Sequence, residues 1–238
     1  MENWYMLVMI VVIASILQTS TGFGFSIVSL PFLFLIYQPH TAVQLNLILS
    51  LVISIIMIFK VNKEVDKAIL FRLIKGSIIG IPLGTGISMY FDIEVLKIIV
   101  SLVILLLTAC LLLKVKIQQT NNRDFLIGII SGMLTISIGM PGPPLLLYFS
   151  GAEKEKAMIR NTTLAYYLFI YFISLVVQII IVGISKVVLY SSLVSIIPLL
   201  IGILLGQWIF TSINQKTFQI TTNIILLFTG FYLLATSF

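Results

Sequence analysis

Two hydrophobic segments of this chain are each interrupted once by glycine, proline and small polar residues. The first interruption runs Gln18-Thr19-Ser20-Thr21-Gly22-Phe23-Gly24-Phe25-Ser26 and is followed by Pro31. The second runs Thr135-Ile136-Ser137-Ile138-Gly139-Met140-Pro141-Gly142-Pro143-Pro144. Unpaired N–H and C=O groups cost several kcal/mol each in hydrocarbon, so irregular backbone at membrane depth must be covered by protein or line a polar cavity. Paired interruptions in corresponding places of two halves point to a binding site at membrane depth.

Membrane residence follows from the remainder of the chain. Of its 238 residues 60% are hydrophobic and 9% charged, too little polar surface for a soluble protein of this length. Apolar runs long enough to cross a core of roughly 30 Å recur throughout. With each interrupted segment taken as one broken span, there are eight crossings, at about 4–37, 41–59, 70–90, 95–113, 124–150, 161–183, 187–211 and 219–237. The expected fold is an all-α polytopic membrane protein with about eight transmembrane helices in two four-helix repeats, the first helix of each interrupted near mid-span. No basic leader or cleavage pattern marks a removable signal peptide.

Internal similarity supports the duplication. Gly80-Ile81-Pro82-Leu83-Gly84 matches Gly202-Ile203-Leu204-Leu205-Gly206 at four of five positions, and both glycine pairs are expected to mark close helix packing. Pro31 precedes Asn46 by 15 residues and Pro144 precedes Asn161 by 17. The repeats are expected at about 1–115 and 122–238 within a single transmembrane domain. Four spans per unit imply that both enter the membrane in the same sense, about an axis along the membrane normal. On this count nine Lys and Arg fall on one face (60, 63, 67, 72, 75, 114, 116, 123, 186) and five on the other (97, 154, 156, 160, 216). The positive-inside rule then places both termini in the cytoplasm of a cell whose plasma or inner membrane holds the chain.

The chemistry-bearing residues favour binding over catalysis. All eight carboxylates lie in connections or at span ends, which argues against a carboxylate proton relay. One histidine, His40, and one cysteine, Cys110, build neither a metal centre nor a disulfide. No hydrolytic motif is present, so no enzyme activity and no cofactor are expected. Basic residues sit in short connections rather than on one folded face, which excludes nucleic acid as a partner. Binding at the interruptions requires less. Half-helix starts carry about half a positive charge and free N–H groups that hold anions. The candidate substrate-binding residues are Gln18, Thr19, Ser20, Thr21 and Ser26 with Gly22 and Gly24 in the first break, and Thr135 and Ser137 with Gly139 and Gly142 in the second. The helices that follow add Asn46, Arg160, Asn161 and Thr162, with Gln44, Ser50, Thr163 and Tyr166 in register. Arg160 has two readings, a planar fork for an oxyanion or a boundary anchor that snorkels. Asn46 and Asn161 are either ligands or bridges between helices.

The Thr21-Gly22-Phe23-Gly24 break leading to Pro31, the Gly139-Met140-Pro141-Gly142-Pro143-Pro144 segment and the duplicated unit together resemble the TauE/SafE family of membrane permeases, over essentially the whole chain. The resemblance implies export of a small sulfur oxyanion such as sulfite, an organosulfonate or a carboxylated relative. Expulsion of an anion against an inside-negative potential is favoured by about 2.3 kcal/mol per 100 mV per charge and needs no coupling ion. The expected function is a secondary carrier for a small anion working by alternating access. A non-transporting membrane scaffold or a channel-like facilitator is the alternative.

Overall fold

In the computed structural model, residues 4–61, 65–90, 117–150 and 154–212 are described, with isolated positions within 95–113 and 224–235. The spans expected at 95–113 and 219–237 therefore lie largely outside the described residues. Eight helices occupy the rest: α1 (Trp4–Thr21), α2 (Phe25–Ile36), α3 (Pro39–Val61), α4 (Lys67–Tyr90), α5 (Asn121–Ile138), α6 (Gly142–Ser150), α7 (Lys156–Val182) and α8 (Lys186–Ser212). Five of them, α1, α3, α4, α7 and α8, are long and apolar enough to cross a membrane.

Polarity is distributed as lipid requires. Leu193, Ile197, Leu200, Leu204 and Trp208 recur every three to four residues along α8 and are exposed, as are Phe172 and Ile180 on α7. Ser15, Gln18, Thr19, Ser26, Ser29, Asn46, Ser50 and Ser54 are buried. In a bilayer an apolar exterior costs nothing, and interior hydroxyls find partners on neighbouring helices.

Side-chain pairs fix the direction of every helix. Gly202 of α8 lies against Val12 and Ser15 of α1, and Gly206 against Ile16 and Thr19, so α1 and α8 are parallel. Gln44 Nε2 donates to the Gly183 carbonyl at 2.7 Å and Gln207 Nε2 to Met57 Sδ at 3.3 Å, so α3 rises in the same sense. The Tyr37 hydroxyl meets Ser191 Oγ at 2.9 Å, which places the end of α2 at the level where α8 begins. The chain therefore goes up α1, turns at Gly22–Gly24 and returns down α2. The second segment does the same from the other end. Ser131 Oγ donates to the Pro141 carbonyl at 2.9 Å, and the Tyr148 hydroxyl of α6 donates to Asp124 in the first turn of α5. Asp124 is fully buried and its other oxygen accepts from Arg72 Nε at 2.7 Å, which ties the base of this second hairpin to α4.

Each interrupted segment is thus a helical hairpin whose second helix runs back beside its first, where one span broken near its middle was expected. Length is the reason: α1 alone, at 18 residues, reaches about 27 Å, so its break falls near the far end of the bundle rather than at mid-span. The sense of the two halves changes with it. α1, α3, α6 and α8 run one way, and α2, α4, α5 and α7 the other.

The connections regroup accordingly. Asp66, before α4, pairs with Lys154, before α7, and its N–H donates to Thr162 Oγ1 at 2.9 Å, so two connections expected on opposite faces share one end. Burial works against the Asp66 charge, but the Lys154 ammonium and the Ile69 and Ala68 N–H groups outweigh it and hold this carboxyl below 3.8. Of the nine described Lys and Arg, eight (60, 67, 72, 75, 123, 154, 156 and 160) lie toward this basic end, and Lys186 lies at the opposite end with Trp4.

Glycines set the two tightest crossings. On α4, Gly76, Gly80 and Gly84 touch the α5 backbone at Phe125, Ile129 and Met133, and Gly128 and Gly132 return the contact against Leu73 and Ser77. Gly202 and Gly206 do the same for α8 on α1. A methyl at Gly80 would overlap the Ile129 carbonyl, whereas one at Gly86 meets nothing within 4 Å. Gly80→Ala is expected to lose about 1–3 kcal/mol of stability through forced separation of the helices, and Gly86→Ala to lose little. Melting of the two purified variants in one detergent checks the difference.

Candidate functional site

The first hairpin tip is closed by its own residues. Gly22 and Gly24 adopt φ of 81° and 111°, a region that side chains avoid, and this ends α1 and starts α2. The Thr21 hydroxyl accepts from Phe23 N at 2.9 Å and donates to the Phe23 carbonyl, which satisfies both backbone groups at the turn. Of the carbonyls at the end of α1, Thr19 O accepts from Arg160 Nε at 2.8 Å and Nη2 at 2.5 Å. Gly22 sits on α7 so closely that a Cβ would come within 2.9 Å of Arg160 Cα. Arg160 is buried and caps the carboxyl-terminal end of α1, where the helix dipole favours a cation.

The second tip is built on the same plan. Gly139, at φ 74°, closes α5 with its N–H on the Thr135 carbonyl at 2.7 Å. Asn46 Nδ2 of α3 donates to the Gly139 carbonyl at 2.8 Å, Gln178 Nε2 of α7 to the Ile136 carbonyl at 3.0 Å. Asn46 Oδ1 also accepts from Ser29 Oγ of α2 at 2.8 Å, so one side chain joins the second tip to the first hairpin. The first tip is therefore held by Arg160 of α7, and the second by Asn46 of α3 together with Gln178 of α7.

Between the tips lies a buried polar group. The Tyr167 hydroxyl has no hydrogen-bond partner and stands 3.0 Å from where a Cβ on Gly142 would be. The Tyr171 hydroxyl reaches Ser26 Oγ at 3.4 Å, and the Tyr167 ring stands edge-on to Phe23. Ile27 of α2 abuts Gly142, so the two hairpins touch.

The sequence candidates divide in this geometry. Thr19, Gly22 and Arg160 are brought together at one tip, Asn46 and Gly139 at the other, and Ser26 and Gly142 beside the tyrosines. Gln18 and Asn161 are buried with amide atoms unpartnered: both polar atoms of Gln18 and Oδ1 of Asn161. Ser20 and Thr135 hydroxyls turn back onto the Ile16 and Ser131 carbonyls of their own helices, and Ser137 bonds the Gly84 carbonyl. Thr162 belongs to the basic rim. The two half-helix starts belong to helices of opposite sense, α2 and α6. They also differ in donors, because Pro143 and Pro144 in the first turn of α6 have no N–H. Sequence reasoning missed Ser29, Tyr167 and Tyr171. The two tyrosines are four residues apart on one face of α7, which was the available signal.

The sulfite exporter TauE/SafE family model matches residues 7–233. The chain belongs to the sulfite exporter TauE/SafE family. No curated protein and no solved structure matches it. This TauE/SafE chain is a multi-pass membrane protein of a transporter family rather than of an enzyme family.

Proposed function

We propose that this chain exports a small sulfur oxyanion or organosulfonate by alternating access, with the two hairpins as its gates and the polar group between their tips as the substrate site. The crossed latches carry this reading. Each gate is held by a helix of the other half, so the two are mechanically linked, and opening of one can be exclusive of opening of the other. Ser26, Ser29, Asn46, Tyr167 and Tyr171 offer uncharged donors to an anion without the cost of burying a cation. With both tips packed shut, the conformation corresponds to an occluded stage of the cycle.

The two halves, about 1–115 and 122–238, are proposed as inverted repeats about an axis in the membrane plane. The pairing of α4 with α5 and of α1 with α8 supports this, because exchange of the halves turns one contact into the other. The basic end is proposed as cytoplasmic, eight described Lys and Arg against one, which puts the amino terminus outside. Export of the anion is then driven by the membrane potential.

Proteoliposomes loaded with sulfite, thiosulfate, sulfate, sulfoacetate or small carboxylates test the function. Saturable efflux of at least one anion that rises with imposed potential is expected; no saturable flux of any would overturn it. For orientation, a Ser185→Cys variant of the Cys110→Ser chain is expected to label from outside intact cells and Glu155→Cys only from within. The reverse pattern overturns the assignment.

A further inference from the structure

We propose that Arg160 is the latch of the cytoplasmic gate and that the anion to be exported releases it, by drawing the guanidinium away from the Thr19 carbonyl. The proposal rests on the transport reading above and adds what opens the gate and from which side. Two donors of the guanidinium, Nε and Nη2, converge on one carbonyl oxygen at 2.8 and 2.5 Å. A planar fork is matched to two oxygens, as a sulfur oxyanion presents them, and hydrogen bonds to an ion are about twice as strong as those to a neutral carbonyl. The helix end offers Arg160 about half a negative charge, whereas the anion offers a full one.

Two further observations place a ligand at this tip. Gln18 is fully buried, and its Nε2 is a donor with no partner. Gln18 lies one turn before Gly22, so its amide is a further donor near this end of α1. The tip also lies toward the basic end, where Lys67, Lys75 and Arg123 concentrate anions. Among the described residues the other gate has no charged latch: Asn46 and Gln178, which hold it, are both neutral. An anion therefore opens one gate by charge and not the other, which makes the cycle start from the cytoplasm.

Labelling of a Ser20→Cys variant in the Cys110→Ser chain tests this, with a membrane-impermeant thiol reagent applied to inside-out vesicles and sulfate or methanesulfonate as the probe. Ser20 is 8% exposed, so the closed tip labels slowly. Either probe is expected to speed labelling about tenfold, the factor produced by roughly 1.4 kcal/mol between closed and open tip. Arg160→Gln is expected to label fast without anion and to ignore it, and Arg160→Lys, which keeps the charge and loses the fork, to fall between. Anion-independent labelling in the Arg160 chain, or an Arg160→Gln chain that labels as slowly as its parent, overturns the latch. If Arg160→Gln does not accumulate, Arg160→Lys decides by the same comparison. Flux without anion-dependent labelling removes the latch and leaves transport standing; anion-dependent labelling without flux does the opposite.

Discussion

Asn46→Leu is expected to abolish anion flux and to destabilise the protein. The side chain is buried and makes two hydrogen bonds, accepting from Ser29 Oγ and donating to the Gly139 carbonyl, each at 2.8 Å. Leucine has the same branching with bulkier methyl ends, so the change removes the bonds without opening a cavity. Both partners are then left unpaired at membrane depth, at about 1–3 kcal/mol each. Gly139 cannot relax to compensate, because its φ of 74° already fixes the tip and its Cα side lies against the Asn46 amide. The second hairpin comes loose from α3, and the link to the first is cut by the same change. Ser29→Ala breaks only the Ser29 bond and is expected to slow flux while it preserves abundance. Melting in detergent and initial efflux rates measure both effects. An Asn46→Leu protein at normal abundance with parental flux would remove Asn46 from the gate.

Which segments are helical, and where they are interrupted, could be read from hydropathy and from glycine and proline. The Gly80, Gly84, Gly202 and Gly206 contacts were legible as well, since small residues four apart in an apolar helix have few other uses. Direction was not legible, because hydropathy records that a segment is apolar and not which way it runs. One clue was present and unused: residues 4–37 as a single helix would reach about 50 Å, far beyond a core of roughly 30 Å. That excess is what α2 spends in returning. Parity follows from it, and with parity the distribution of Lys and Arg shifts from a slight bias to a strong one. The two readings of Arg160 were incomplete for a related reason. Neither could include the Thr19 carbonyl, 141 residues away, until the hairpin put a helix end beside α7.

Tyr167→Phe separates substrate contact from packing, because the two predict opposite signs. The hydroxyl is fully buried and has no hydrogen-bond partner, beside Gly142 at the start of α6. Removal of an unsatisfied polar group relieves about 1–3 kcal/mol, so the phenylalanine variant melts no lower than the parent and is expected to melt higher. If the hydroxyl donates to the anion when substrate is bound, the same change costs a hydrogen bond to a charged group, about 1.5–3 kcal/mol, or roughly a tenfold to hundredfold loss of apparent affinity. A protein that is steadier and yet binds worse is hard to produce by a packing defect. Gly142→Ala approaches the same point from the other side. Its methyl would stand 3.0 Å from the Tyr167 hydroxyl and 3.1 Å from Ile27 Cδ1, in the space an anion has to share with them. Concentration dependence of efflux beside thermal melting reads both variants. Parental affinity in Tyr167→Phe places the substrate elsewhere between the hairpins, while a lowered melting temperature means that the hydroxyl is part of the fold.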